Sequence, residues 1–187
     1  MTKKYFKIDN HKLFVFGLQG SGKTYFSREI VKANNYTVLV WGAHKHDFEG
    51  EPDNFILYNE PHTKENFEEF IRLAKEMCKK KVIDGVFIDE FDMLFKSNFD
   101  IGDNFNDIVL NHRHYNMFLI GISRRPQDVP AKIRESARHT VCFALDSPNA
   151  KKVFNDLYKG MGDQIGQLQY EKHECLYKTI GKAPEKL

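Results

Sequence analysis

Short apolar segments alternate along the chain with longer amphipathic segments. Six apolar runs are typical of strands, at residues 13–16, 37–41, 55–58, 86–89, 117–122 and 140–144. Most of these runs are continuously apolar, as expected for strands that are covered on both faces. Because amphipathic segments separate them, the pattern predicts an α/β domain with a mainly parallel sheet and helices on both faces.

The amphipathic segments predict helices at residues 25–32, 63–80, 105–114 and 147–158. Thr63 is a candidate cap for the second helix, with Asn66 at the position where a capping box has Glu or Gln. After Gly160 the pattern is less regular, but QLQYEK and ECLYKTI both alternate and favour a small C-terminal β-hairpin. We therefore expect a single domain over residues 1–187, with a core at about 11–158 and an extension at 160–187.

Composition limits the classes of protein without choosing among them. A hydrophobic fraction of 41% and a charged fraction of 29% are ordinary for a globular domain, and a net charge of +2 gives no global argument for nucleic acid. The three widely spaced cysteines favour reduced thiols in an intracellular protein over a disulfide framework or a metal site. We expect neither a signal peptide nor a membrane span, because no long apolar run is present.

The segment GLQGSGKT, residues 17–24, follows a predicted strand and precedes a predicted helix. It matches the phosphate-binding loop pattern G-x-x-x-x-G-K-[ST], in which glycines turn backbone N–H groups toward phosphate oxygens at the start of a helix. In this pattern Lys23 reaches the β- and γ-phosphates of ATP, and the Thr24 hydroxyl coordinates Mg²⁺. The predicted nucleotide-binding residues are Gly17, Gly20, Ser21, Gly22, Lys23, Thr24 and Tyr25.

A second acidic site follows the strand VFID. Asp89 ends this apolar run, where a carboxylate can hold Mg²⁺ through water, and Glu90 comes next. We assign Glu90 as the general base that activates the attacking water. A further strand lies between the two motifs, which favours the RecA-like (ASCE) division of P-loop NTPases over kinases and GTPases. Asp92 is expected to start a helix or to lie on the surface.

Most of the arginines follow the Asp-Glu pair within one short segment. Ser123, at the end of the strand at residues 117–122, is a candidate sensor of the γ-phosphate, and Gln127 is the other. In ring ATPases an arginine of one subunit stabilises the transition state at its neighbour's γ-phosphate. Arg124 and Arg125 are the first candidates for this catalytic role, and Arg113 is the next. Two more arginines are candidate fingers, DNA contacts or surface charges, namely Arg134 and Arg138.

Four histidines lie near these motifs. His112 and His114 flank Arg113, and His44 and His46 follow the second predicted strand. A metal site is disfavoured because no third ligand has suitable spacing. We interpret the first pair as part of a loop near the nucleotide or a subunit boundary, and the second pair as a loop that contacts nucleotide or DNA or has no special role.

With these residues in place, the chain resembles the FtsK–HerA superfamily of DNA-pumping ATPases. The resemblance is carried by NHRHYNMFLIGISRRPQDVPAKIRESARHTVCFAL, residues 111–145, with its RHY helix end, strand and RPQ-x-x-P stretch. Members usually carry Gln where Ser123 or Arg124 stands here. The resemblance is strongest to the minimal genome-packaging ATPases of internal-membrane viruses with double jelly-roll capsids.

This resemblance implies a homo-hexameric ring that pumps double-stranded DNA into a preformed capsid. The implied partners are DNA and proteins of the capsid or membrane vertex, and the implied location is the host cytoplasm or the packaging vertex. Residues 96–104 are a candidate pore loop, and Lys79–Lys81 are expected to complement a helix dipole. Two alternatives remain open: a Zot-type phage assembly ATPase, and a P-loop switch or small-molecule kinase.

Overall fold

The computed structural model describes residues 5–42, 45–95 and 102–187. In this part of the chain, one sheet contains eight strands in the order β3-β2-β4-β5-β1-β6-β7-β8. The strands are β1 (Lys12–Phe16), β2 (Val38–Trp41), β3 (Phe55–Leu57), β4 (Gly85–Ile88), β5 (Phe118–Ser123), β6 (His139–Phe143), β7 (Cys175–Thr179) and β8 (Glu185–Lys186). The first six are parallel, which confirms the predicted mainly parallel sheet.

The C-terminal extension joins this sheet, and the predicted hairpin between QLQYEK and ECLYKTI is wrong. Strand β7 pairs antiparallel with β6 on one side and with β8 on the other. Three consecutive residues of β7 are buried, whereas residues 169–172 are exposed and polar and include a 3-10 turn, Tyr170–Lys172. A strand buried on both faces needs a partner inside the sheet, and the open edge of β6 provides one.

The helices are α1 (Lys23–Ala33), α2 (Lys64–Lys79), α3 (Asp103–Asn111), α4 (Ala131–Glu135), α5 (Pro148–Leu157) and α6 (Met161–Ile165). The predicted cap of α2 is confirmed, since the Thr63 hydroxyl accepts a hydrogen bond of 3.2 Å from the backbone N–H of Asn66. The Asn66 side chain donates instead to the Pro61 carbonyl. The predicted helix at 105–114 ends earlier, and a 3-10 turn, His112–Tyr115, follows it.

Apolar side chains form a core on each face of the sheet. Along β1, Leu13 and Val15 are buried on the face covered by α1, and Phe14 and Phe16 are buried on the face covered by α2, α3 and α5. The predicted placement of helices on both faces is therefore confirmed. Within the described ranges, no helix combines the length and apolar character that a bilayer crossing requires.

The strand order decides which loops meet. Strand β5 lies between β1 and β4 and separates the phosphate-loop strand from the Asp-Glu strand, whereas the strand predicted between the two motifs in sequence, at residues 37–41, is β2 on the other side of β4. We call the edge where the parallel strands end the carboxyl edge, and the edge where they begin the amino edge. The loops after β1, β4 and β5 are neighbours at the carboxyl edge, where ligands bind in open α/β sheets.

Candidate nucleotide-binding site

The loop of residues 17–22 connects β1 to α1 at the carboxyl edge. Gly22 caps α1 with a φ of +97°, in the left-handed region that favours glycine. A Cβ added to Gly17 would lie 2.7 Å from the Cβ of Phe143, so the loop passes too close to β6 for a side chain there. These glycines leave the N-terminus of α1 open to an anion, as the phosphate-loop pattern requires.

Lys23 is the first residue of α1, directly after this loop, and is 8% exposed. Its Nζ donates a hydrogen bond of 2.7 Å to the Leu18 carbonyl. Burial lowers the pKa of Lys23 to about 8, and the nearby Asp89 carboxylate opposes that shift. An anion beside Nζ would favour the charged form, so the position suits an ammonium group that binds phosphate.

Thr24 and Asp89 meet across the carboxyl edge. The Thr24 hydroxyl donates to Asp89 Oδ2 at 3.2 Å, and the backbone N–H of Glu90 donates to Asp89 Oδ1 at 2.8 Å. Burial raises the pKa of Asp89, while these two hydrogen bonds act in the opposite direction. A hydroxyl and a partly buried carboxylate at this separation are the oxygen donors that Mg²⁺ takes while keeping several waters, so these residues fit that ion.

Glu90 is held by an arginine of its own chain. Arg124 Nη2 donates to Glu90 Oε1 at 2.7 Å, and the two side chains are 51% and 39% exposed. Glu90 also has a φ of +49°, which is uncommon for a residue with a side chain and is often found at functional sites. Arg124 therefore lines the pocket of its own chain, whereas the sequence suggested contact with a neighbour.

These side chains line a pocket of about 300 Å³. Besides the predicted residues, it is lined by four that sequence analysis missed: Gln19, Gly42, Asp47 and Ile122. Gly42 follows β2 with a φ of +78°, and an added Cβ would lie 2.6 Å from the Asp89 carbonyl. Because β2 is the neighbour of β4, a glycine directly after β2 was the available signal for this close approach.

The two sensor candidates and Arg125 differ in position. Ser123 lines the pocket, but it is buried and its hydroxyl is hydrogen-bonded to the backbone of Arg125, at 3.1 Å to the carbonyl and 3.2 Å from the N–H. Arg125 and Gln127 are exposed and are absent from the pocket lining. Arg134 is not a plain surface charge, since its Nη1 donates to the carbonyls of Pro126 and Val129 and holds the turn after β5.

Arg113 and its neighbours lie at the opposite end of the sheet. The turn that carries them leads into the start of β5, so His112 and His114 are at the amino edge and not near the nucleotide pocket of their own chain. Of the two alternatives for this pair, a loop beside the nucleotide of the same chain is therefore wrong, and a loop at a subunit boundary stays a prediction. Asp92 is in the first turn of a 3-10 helix, as one alternative predicted, but it is buried and is not a surface carboxylate.

Several expectations fall outside the described residues. His44 and residues 96–101 of the candidate pore loop lie there, and the side chain of His46 is not described. Lys79, by contrast, ends α2 as predicted, and its Nζ lies 5.2 Å from the centroid of the Tyr115 ring.

The C-terminal extension contacts the phosphate loop from outside. Tyr170 Oη donates to the Gln19 carbonyl at 2.8 Å, and His173 Nδ1 lies 3.1 Å from the Ser21 carbonyl, which makes that nitrogen the donor. His173 also borders a second, largely apolar pocket of about 220 Å³, together with Gly22, Tyr25, Phe26 and Phe143. Tyr25 is 56% exposed at its mouth. Sequence analysis included Tyr25 but missed Tyr170 and His173.

Comparison with known proteins adds a family and a fold. A family model described as "ATPase family associated with various cellular activities (AAA)" matches residues 13–147. No curated protein matches the sequence. Among solved structures, the DNA-packaging ATPase B204 of Sulfolobus turreted icosahedral virus superposes with a TM-score of 0.81 at 16% identity, covering 96% of this chain and 98% of that one.

Two further structures have similar folds. The genome-packaging NTPase B204 of Sulfolobus turreted icosahedral virus 2, in complex with ATP-γ-S, gives a TM-score of 0.78 at 16% identity, with coverage of 95% and 96%. EssC (ATPases 2 and 3) of Geobacillus thermodenitrificans gives 0.68 at 12% identity, and covers 97% of this chain and 40% of that one. The expected RecA-like P-loop fold and the structural resemblance to viral packaging ATPases are confirmed.

Proposed function

The chain belongs to the ATPase family associated with various cellular activities (AAA), and we propose that it is a DNA-translocating ATPase that packages a viral genome. The observation that carries the ATPase part is the meeting of Lys23, Thr24, Asp89 and Glu90 in one pocket at the carboxyl edge. The packaging part is supported by the similarity of the whole fold to B204, which is described as a DNA-packaging ATPase.

In this proposal the chain's own residues bind and orient ATP for hydrolysis. The backbone of residues 17–24 holds the phosphates, and the buried Lys23 ammonium transfers its hydrogen bond from the Leu18 carbonyl to a phosphate oxygen. Thr24 and Asp89 would hold Mg²⁺, which supplies positive charge to the phosphate oxygens. Glu90 accepts a proton from the water that attacks the γ-phosphorus, as the bond to the ADP oxygen breaks.

The contact between Arg124 and Glu90 gives the pocket a defined resting arrangement. Arg124 donates to one oxygen of Glu90 and leaves the other, Oε2, to orient a water, and opening of this ion pair would release the guanidinium. A guanidinium so close to the site is then free to bind phosphate oxygens, for which its planar fork is well suited. Arg124 therefore acts in its own subunit, and Arg113 and Arg125 are the remaining candidates for action on a neighbour.

The adjoining apolar pocket is the place for the nucleobase. It begins at Gly22, directly beside the phosphate loop, and its walls include the rings of Tyr25, Phe143 and His173. Flat aromatic and imidazole rings stack well on a purine. Since His173 is fixed to the Ser21 carbonyl, binding of the base couples the C-terminal extension to the phosphate loop.

The finer parts of the proposal concern assembly. We place the chain in a homo-hexameric ring of the FtsK–HerA type around double-stranded DNA, at the packaging vertex in the host cytoplasm, with capsid or membrane vertex proteins as partners. Contacts to DNA phosphates would make translocation independent of sequence and sensitive to salt.

The test is steady-state ATP hydrolysis, measured with and without double-stranded DNA over a range of protein concentrations. Turnover per subunit should rise with DNA and with concentration, because a ring forms by mass action. Lys23→Ala should abolish turnover, and Lys80→Ala, which removes the same charge from an exposed position, should not. Turnover that is indifferent to DNA and to concentration would refute the motor, and normal turnover in Lys23→Ala would refute the site.

A further inference from the structure

A second polar pocket, of about 230 Å³, lies at the amino edge of the sheet. It is formed where β1 and β6 begin and where the antiparallel β7 ends, with Lys7, Arg138 and Lys182 among its lining residues. The five residues of β1 separate it from the phosphate loop by about 16 Å. It is therefore a separate site from the nucleotide pocket.

The charge in this pocket is unbalanced. Lys7, Arg138 and Lys182 are exposed, and within the described ranges none of their charged groups has an ion pair or a hydrogen bond. Asp9 is the single carboxylate among the described residues that line the pocket. Arg113 adds a further cation behind this lining, because its Nη2 lies 3.3 Å from His11 Nδ1.

The wall of the pocket contains side chains that are buried and packed against one another, and not only exposed side chains. His139 is 7% exposed, and its Nδ1 lies 2.8 Å from Tyr177 Oη. Phe6 stacks on both rings, with centroid distances of 5.3 Å to His139 and 4.0 Å to Tyr177. Burial lowers the pKa of His139 to about 4, with help from His11 and Arg138, so this wall stays neutral while the cations surround it.

The polar groups that line the pocket are mainly hydrogen-bond donors, with few acceptors among them. An arginine always donates, so His11 Nδ1 accepts from Arg113 and leaves His11 Nε2–H as a donor. Thr179 supplies a hydroxyl at the same edge; it is paired across the ladder with His139, and its side chain is hydrogen-bonded to Tyr177. Guanidinium, ammonium, imidazole N–H and hydroxyl groups together are the donors that bind phosphate oxygens.

We propose that this pocket binds a phosphate group, with Arg138, Lys7 and Lys182 supplying the charge and His11 and Thr179 supplying neutral donors. The ligand class is a phosphate with at least one unshared negative charge, either in the backbone of duplex DNA or in a free polyphosphate. Both sources bring the same chemistry to the pocket. Only the DNA source rests on the proposed function.

The first experiment titrates sodium pyrophosphate into the full chain by calorimetry, in magnesium-free buffer, after saturation with a non-hydrolysable ATP analogue. The analogue occupies the phosphate loop, so any further binding reports another site. The double variant Arg138→Gln plus Lys182→Gln should bind pyrophosphate about tenfold more weakly or worse, since two charge-assisted contacts are lost. Lys80→Gln plus Lys152→Gln removes the same net charge from exposed positions on α2's end and α5, and should bind normally.

The second experiment identifies the source by anisotropy of a labelled duplex over a range of salt concentrations. If DNA is the ligand, the pocket variant should bind the duplex more weakly than the control variant. For the pocket variant the slope of log K against log salt should also be less steep than for the wild type, by about 2. If free polyphosphate is the ligand, the two variants should bind DNA alike while pyrophosphate binding still separates them.

One result would overturn the proposal, namely that the pocket variant equals the control variant in both titrations. The four residues changed are exposed, so circular dichroism should show folded protein in each case. ATP turnover is measured on the same samples. If the wild-type protein shows no ATP turnover, the proposed function is refuted. The pyrophosphate titration then still tests the pocket on its own.

Discussion

The contact between the C-terminal extension and the phosphate loop can be tested at Gly20. This residue has a φ of +74°, and a Cβ added there would lie 2.6 Å from Tyr170 Oη. The same hydroxyl donates the hydrogen bond of 2.8 Å to the Gln19 carbonyl. Gly20→Ala therefore has two separate consequences: it forces a side chain into left-handed backbone, and it displaces the hydroxyl that ties residue 170 to the loop.

The structure allows the two costs to be separated. Left-handed backbone costs a non-glycine residue about 1–2 kcal/mol, and the loss of a hydrogen bond costs about 0.5–1.5 kcal/mol. Gly20→Ala should thus lower the free energy of unfolding by about 1.5–3.5 kcal/mol. In a Tyr170→Phe background the nearest atom to the new Cβ is the ring carbon Cζ at 3.8 Å, an ordinary contact. In that background Gly20→Ala should lower the free energy of unfolding only by the cost of left-handed backbone, about 1–2 kcal/mol.

The assay is urea unfolding of wild type, both single variants and the double variant, without nucleotide. The double variant should be more stable than the sum of the single effects predicts, by about 0.5–1.5 kcal/mol. Gly50 is the matched control, because its φ is +75° and an added Cβ meets nothing within 4 Å. Gly50→Ala should cost the backbone part in both backgrounds. Additivity of Gly20→Ala and Tyr170→Phe would refute the tie between the extension and the loop.

Three further predictions concern the two edges of the sheet. Glu90→Gln should retain binding of ATP in equilibrium dialysis but lower its turnover about 10²–10⁴-fold, and wild-type turnover would reject Glu90 as the base. Arg124→Gln should change turnover while shifting the free energy of unfolding by no more than about 0.5 kcal/mol, because its ion pair with Glu90 is half exposed. The pKa of His139 is about 4 in the folded chain and 6.5 in the unfolded chain. Between these two pH values His139 binds fewer protons in the folded state than in the unfolded state, so the free energy of unfolding should fall as the pH drops from 6.5 to about 4. Urea unfolding of His139→Gln should show a smaller loss over that window, and an equal loss would contradict the assignment.

The strands and the positions of Asp89 and Glu90 at the pocket were predictable because their signals are local. A continuous apolar run marks a strand that is buried on both faces, and the β5 run at residues 117–122 needed no other information. The phosphate loop is defined within eight residues, and Asp89 follows from its position after β4. Once β5 is placed between β1 and β4, the meeting of Thr24 and Asp89 follows from the geometry of parallel strands.

The remaining features depend on distant contacts that no local pattern contains. Tyr170 lies 151 residues from Gln19 along the chain, and the alternation of its segment, QLQYEK, indicated a strand instead of the 3-10 turn that forms. The failure of the predicted hairpin has the same origin, since β7 was recognisable as a strand but its partner was the distant β6. The five-residue helix α6 is shorter than the windows in which helical periodicity can be detected.

The clustered arginines show how one sequence feature divides once the sheet forms. They are close in sequence because β5 and its flanking loops are short, yet a strand carries the chain from the amino edge to the carboxyl edge. Arg113 and Arg138 therefore lie by the starts of β5 and β6, whereas Arg124 lies beside Glu90 after β5. Arg134 holds the turn that follows β5. The described arginines of the cluster are thus divided between the two edges, and we infer that the nucleotide pocket at the carboxyl edge and the cationic pocket at the amino edge bind phosphate for different purposes.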